Sequence, residues 1–445
     1  MTDDSSDTGR RAFLAGLTAA GVGLAGCSSL SSRLDGGDGG SSATPTPTDT
    51  PTGTGTDTPT DTPEDGSGGN GGGEQPGDPG EYEPMEEAAA TFEDISYWTA
   101  HAGVTLKSDN DTVYQGSQSA RIEGRSGTIE RAFPVPRDLS GKDLSLAMKI
   151  GGPLPTTLRV HLIDTGGNRT RLIQRYHTAQ PSGWVRINPS INDVNADLSS
   201  IERIIITLDG GGEEKKYWVD DVRFHDKTTD RGQVMFTFDY ITRSIYDIAY
   251  PMMKDRGIKG ALAVPADNVG NADRLTWDEI TELQDDGWEI ASMSNDWEPL
   301  NGQSENVQRQ RIERAINLIT ENGLDEPAAL MYPKGFCDDT TIELAAENHD
   351  IAFTRYGDSE AGNSQSAIMG PQFVNRSRPN TPAAAVNQMD VVAQYNGLYT
   401  IAHNRIGPNA ENSRAEFRQI LNEAEKRQKQ GRVKIVTPSD VVLQG

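Results

Sequence analysis

The stretch VMFTFDY, residues 234–240, decides how this sequence is read. A short β-prone apolar run leads into Asp239, and Tyr240 follows. Downstream, comparable apolar runs recur at ALAV, WEIA, AALMY, IAFT, YTIA and VKIV, with helical patterns between them. Thr276 and Glu279 form a capping box, and Gly287 closes the helix they begin. Ile312, Ala315, Ile316 and Ile319 share one helical face that ends near Gly323. Ser413 and Glu416 form a second capping box, ahead of a stripe of Phe417, Ile420, Leu421 and Ala424. Strands alternating with helices over 232–445 predict a parallel, barrel-like α/β sheet, a deformed (β/α)7 barrel. In such folds the reactive side chains gather at the carboxyl ends of the strands, where Asp239 falls.

Upstream, over 91–227, the pattern is different. Short β-rich runs (SARIEG, LSLAMKI, TLRVHLID, GWVRINP, IERIIITLD, KYWVDDVRF) alternate with turn residues, and no helical pattern interrupts them. This predicts a β-sandwich. The runs GSQSARI, SGWVRI and YWVDDVRF resemble those of jelly-roll carbohydrate-binding modules. That resemblance places FEDISYW and VDDV on neighbouring strands, where Glu93 and Asp221 would share a structural calcium ion or stand as solvated loop acids. Trp98, Tyr176, Trp184 and Trp218 are the aromatics available either for sugar stacking or for the sandwich core.

The chain has 445 residues, with 66 acidic against 41 basic side chains and a net charge of −25. Such a surface disfavours nucleic acid as a partner and fits solubility in concentrated salt. Two cysteines, Cys27 and Cys337, exclude a disulfide framework or a Cys-rich zinc site. Residues 1–27 place Arg10-Arg11 ahead of a short apolar segment that ends Leu-Ala-Gly-Cys27. This resembles a twin-arginine export signal with a lipobox, and it implies lipidation of Cys27 and a membrane anchor at the outer cell surface. Together with the acidic bias, it looks haloarchaeal. Residues 28–90, rich in Thr, Pro, Gly and Asp, bury too little apolar surface to order and predict an extended stalk.

At the strand ends the motifs become specific. VMFTFDY, LTWDEITELQDDGWEIASMSNDW, LMYPKGFCDDTTIELAAENHDIAFT and LYTIAHNRIG follow the order of the polysaccharide deacetylase (NodB-homology) family, which the region 232–445 resembles. The resemblance implies a divalent metal, commonly zinc, that polarises a water for attack on an N-acetyl group, with a carboxylate as base and a histidine as acid. Asp239 matches the base and His403 the histidine. The three metal-ligand positions are occupied by Tyr240, Met293 and Trp297, none of which suits zinc. Tyr332 and Pro333 belong to the Tyr-Pro-x-Gly form of the third motif and, with Tyr240, Met293, Asp296 and Trp297, would line a substrate cleft. No cofactor is expected unless a zinc site has been rebuilt around Asp239, Asp296 and His403.

The sequence thus points to a deacetylase-like surface protein acting on extracellular or envelope glycans, with metal-dependent activity weakened or lost. The alternative is a glycan-binding or scaffold protein without catalysis. Asn110, Asn168 and Asn375 each sit in a glycosylation sequon.

Overall fold

The computed structural model describes residues 88–101, 103–152, 154, 156–176, 181–209, 212–355, 363–408, 410 and 412–442. The expected signal with Cys27, and the stalk up to residue 87, lie outside the described residues. The stalk's expected end at residue 90 is corrected, because Ala88–Ala90 is a strand paired antiparallel with Lys215–Asp226.

Two antiparallel sheets of six strands each build the upstream half. One runs Val104–Asp109, Ser119–Gly124, Lys215–Asp226, Lys142–Ile150, Val185–Ile187, with Ala88–Ala90 at its side. The other runs Ser190–Val194, Arg169–Tyr176, Thr156–Asp164, Ile201–Asp209, Ser126–Arg137, Thr99–His101. Period-two alternation buries Ile204, Ile206 and Leu208 between the sheets and turns Arg203 and Thr207 outward. In Lys215–Asp226 the alternation slips: Val219 and Val222 both face the core although they are three residues apart. A register shift between Asp220 and Arg223 accommodates this, with Asp221 in the left-handed region at φ 47°.

In the downstream half, seven strands follow one another across the sheet. Their order is Ile351–Phe353, Ala329–Met331, Glu289–Ser292, Ala261–Val264, Gly232–Phe238, Leu398–His403, Asn363–Ser364; Val433–Ile435 also pairs with Gly232–Phe238. All pairings are parallel except that of Asn363–Ser364. The sheet is curled, and the expected closed barrel is only partly realised. Residues 374–377 join its two sides through isolated bridges, Phe353 with Val374 and Ser377 with Ile401, in place of a continuous ladder.

Both capping boxes are present, at the starts of Trp277–Asp285 and Arg414–Lys429. Each such cap contributes about 1 kcal/mol by satisfying otherwise orphaned amides. Side chains of Gly232–Phe238 alternate between two layers. Val234, Phe236 and Phe238 pack outward with the helix residues Phe417, Ile420 and Leu421. Met235 packs inward with Ala261, Ala291, Met293 and Met331.

The two halves do not form separate cores. One buried cluster contains the sandwich interior together with Leu330, Tyr332, Cys337, Phe373 and Tyr395 of the α/β half. Polar groups also cross the junction. Asp143, fully buried, accepts from Lys227 Nζ at 2.7 Å, Ser366 N at 2.8 Å, Ser366 Oγ at 2.6 Å and Ala367 N at 2.8 Å. Lys227 Nζ in turn lies 3.4 Å from the centroid of the Tyr395 ring. Burial pushes the Lys227 amine below its usual range, while Asp143 pulls it back up. Thr228 bonds Ser366 through both its amide and its hydroxyl, so the connection beyond the sandwich carries no slack.

Candidate functional site

Asp239 leaves the end of Gly232–Phe238 on the inward side and is 2% exposed. Its carboxylate is not free. Arg376 Nη1 donates to Oδ1 at 2.9 Å, and Arg355 Nη1 lies 3.7 Å from Oδ2. Arg376 comes from the bridging segment 374–377 and is wholly buried. It also donates from Nη1 to Thr237 Oγ1 at 3.1 Å and from Nε to the Thr354 carbonyl at 3.2 Å. Its Nη2 is buried without a hydrogen-bond partner. Arg355 also donates to Asn404 Oδ1 at 3.2 Å. Gly335 makes its approach possible: at φ 80°, a Cβ there would meet the Arg355 amide nitrogen at 2.5 Å.

Around this ion cluster lies an aromatic rim. Tyr240 is half-buried and meets Trp297 edge to face at 6.4 Å. Arg274 stands 5.1 Å over the other ring system, that of Trp297. Burial and the Asp239 charge push the Tyr240 phenol up, against the opposing pull of Arg355, Arg376 and Lys334. Lys334 is exposed beside the rim and pairs with Glu298 at 3.1 Å. Tyr240, Ile241, Ser294 and Lys334 all hold positive φ, at 72°, 45°, 66° and 58°. Backbone strain of this kind in residues with a Cβ collects at sites that hold side chains in fixed positions.

The remaining sequence-selected residues are placed differently. His403 does not face Asp239. Along Leu398–His403, Leu398 packs inward while Tyr399 and Ile401 pack outward, and His403 continues the outward series. It is enclosed by Phe236, Phe238 and Phe417, with ring centroids 6.5, 5.4 and 5.1 Å away. Burial pushes its pKa down to about 4, against smaller upward pulls from Asn412 and Asp239. No hydrogen bond of ordinary geometry joins it to Asn412, and both ring nitrogens are buried without partners. Its part in an acid–base pair with Asp239 is therefore corrected.

Tyr332 is likewise corrected from cleft to core: it is fully buried, and its hydroxyl donates to the Gln372 carbonyl at 2.8 Å. Met293 is buried among the inward alanines and methionines, and Pro333 is buried at the start of a short helical turn. Asp296 is ion-paired with Arg311 and accepts from the Glu298 amide at 2.9 Å. Asp239, Asp296 and His403 do not converge, and among the described residues no group of three or more His, Cys, Asp or Glu side chains is arranged to hold a metal. The donor chemistry agrees. The carboxylate at the family's base position is neutralised by two guanidinium groups, and a dication beside them would be repelled. A zinc ion does not fit this site.

In the sandwich, Asp221 pairs with Arg186 and Arg223, and Glu93 accepts from the amide and hydroxyl of Ser117. Trp98 and Tyr176 are core residues, whereas Trp184 and Trp218 are half-buried. Asn375 is buried and bonded to Gln174 and Ser190, which removes it as a glycosylation site in the folded chain. Arg274, Arg355 and Arg376 were not among the residues the sequence singled out. They lie in none of the strand-end motifs, and Arg376, the middle residue of the Asn375 sequon, falls in a segment without an apolar strand pattern.

Residues 226–351 match the family model described as polysaccharide deacetylase. YxkH of Bacillus subtilis (strain 168), whose name assigns it to the polysaccharide deacetylases, is 26% identical over 120 residues. That match covers 27% of this chain and 43% of the relative, less than half its length. Among solved structures, the Streptococcus pyogenes deacetylase PplD in complex with acetate is similar at TM-score 0.32 and 23% identity, covering 35% of this chain and 69% of PplD. The family 11 carbohydrate-binding module of a Clostridium thermocellum cellulase is similar at TM-score 0.27 and 13% identity, covering 32% of this chain and 94% of the module. The family match and the ordered strand-end motifs agree on one region: residues 226–351 are similar to the polysaccharide deacetylase family.

Proposed function

We propose that this protein binds an extracellular or envelope glycan at a deacetylase-type strand-end site that has lost metal-dependent hydrolysis. One observation carries the proposal. Asp239 is ion-paired with Arg376 and Arg355, where the family's chemistry needs a carboxylate free to accept a proton beside a metal. The replacement residues support it, since Tyr240 and Trp297 offer aromatic faces of the kind that stack on sugar rings. The N-terminal sequence supports export and lipid anchoring through Cys27, which would hold the site at the outer face of the membrane.

The test uses the full chain in high salt, dialysed against zinc and washed. We expect less than stoichiometric retained zinc and no acetate released from N-acetylated polymers, together with measurable binding to a glycan panel. About one tightly held zinc per chain with acetate release would overturn the proposal. Enzymatic removal of the lipid, or Cys27→Ser, should release the protein from membranes.

A further inference from the structure

The rim's charge is opposite to that of the molecule. The chain carries −25 overall, yet Arg274, Lys334, Arg355 and Arg376 gather around Tyr240 and Trp297. The carboxylates answering them are Asp239 on Arg355 and Arg376, and Glu298 on Lys334. Arg274 stacks on Trp297 and makes no ion pair among the described residues; Asp273 acts on it only at longer range, and Arg405 adds positive charge nearby. The inner trio is itself unbalanced. Two guanidinium groups share one carboxylate, and Arg376 keeps a buried Nη2 without a partner. An uncompensated charge away from water is unfavourable until an opposite charge reaches it. Cations converging between low-dielectric walls also focus potential on whatever docks there.

Resting on the glycan-binding reading above, we infer that this rim takes an acidic saccharide, with its anionic substituent between Arg355 and Lys334 and its ring against Trp297. A carboxylate or a sulfate ester supplies the same chemistry: oxygen acceptors that charge-assisted guanidinium and ammonium donors recognise. A neutral N-acetylated sugar would leave the excess positive charge unanswered. General anion adhesion is disfavoured, because a chain this acidic repels polyanions everywhere except at a local basic site.

The experiment is calorimetric titration of the full chain with four ligands: oligogalacturonate, its methyl ester, sulfated carrageenan oligosaccharide, and neutral N-acetylchitooligosaccharide. Variants are Lys334→Asn, chosen because Asn tolerates the left-handed backbone at 334, and Arg274→Gln, each with a matched thermal melt. Glu298→Gln is the gain-of-function arm and Arg159→Gln, in the sandwich, the locality control. We expect an acidic oligosaccharide to bind about tenfold more tightly than the neutral ones, and each rim variant to lose about tenfold of that affinity. Glu298→Gln should strengthen it by about threefold, since it frees Lys334. Whichever of oligogalacturonate and carrageenan binds identifies the substituent.

Equal binding of the methyl ester, or acidic binding that is lost in Arg159→Gln but kept in the rim variants, would overturn the inference. Neutral chitooligosaccharide binding alone would overturn it and leave the glycan-binding reading standing. Binding of no saccharide would overturn both.

Discussion

Two buried carboxylates in this molecule are built alike and finished differently. Asp143, at the junction of the halves, meets one buried lysine and three donors from Ser366 and Ala367, so charge and hydrogen bonds both close. Asp239, at the strand ends, meets two guanidinium groups, leaving excess positive charge and a buried Arg376 Nη2 without a partner. A completed cluster has structural work to do and nothing to offer a ligand. An incomplete one that borders a half-open rim is where a ligand adds stability by binding.

The sharpest way to break that contrast is to remove the closed carboxylate. Asp143→Ala leaves Lys227 buried and unpaired and should lower unfolding free energy by about 4 kcal/mol in a urea titration, with no rescue by added anions. A loss under about 1 kcal/mol would show that the junction does not depend on the pair.

His403 tests a third kind of buried polar group, one with no charge partner in contact. Its folded pKa of about 4 lies below the unfolded value, so the unfolded chain takes up the proton first. Above pH ~6.5 neither state is protonated and the group is silent; as pH falls from ~6.5 toward ~4, stability should drop by about 3 kcal/mol. His349 and His161, both also pushed down to about 4 by burial, and His225, lowered by burial, add falls of the same sign. His403→Phe should therefore remove no more than about a third of the acid-induced shift in urea midpoint. An unchanged pH profile would place His403 in contact with water.

The smallest expected effect sharpens the comparison most. Asp239→Asn should destabilise by about 2 kcal/mol, less than Asp143→Ala, because the partly exposed Arg355 can be hydrated. Unlike Asp143→Ala, it should regain its melting temperature when sulfate is added at constant ionic strength. Equal response of the two variants to sulfate would erase the distinction between the clusters.

The α/β half was legible in the sequence because its signals are local. Apolar runs at 234–238 and 261–264, and the Thr276–Glu279 and Ser413–Glu416 caps, need only neighbouring residues to be read. The ion cluster was not legible. Arg376 reaches Asp239 from 137 positions away, on a segment held by isolated bridges. His403 was misplaced by a subtler rule, since a motif fixes a position on a strand but side-chain parity decides which layer the residue enters. The fusion of the halves was hidden for the opposite reason. Asn363, Gln365 and Ser366 carry no apolar signal, yet they are buried and bonded into the sandwich at Ile191, Leu144 and Asp143.

The bonded joint at Thr228 has a consequence for long polymers. Where a flexible tether joins two binding faces, the second contact is made at an effective concentration set by tether length. Here the spacing between the sandwich and the strand-end rim is fixed by packing. A polymer held at the rim and running on toward the sandwich would meet a surface at a set distance, not one that swings to it.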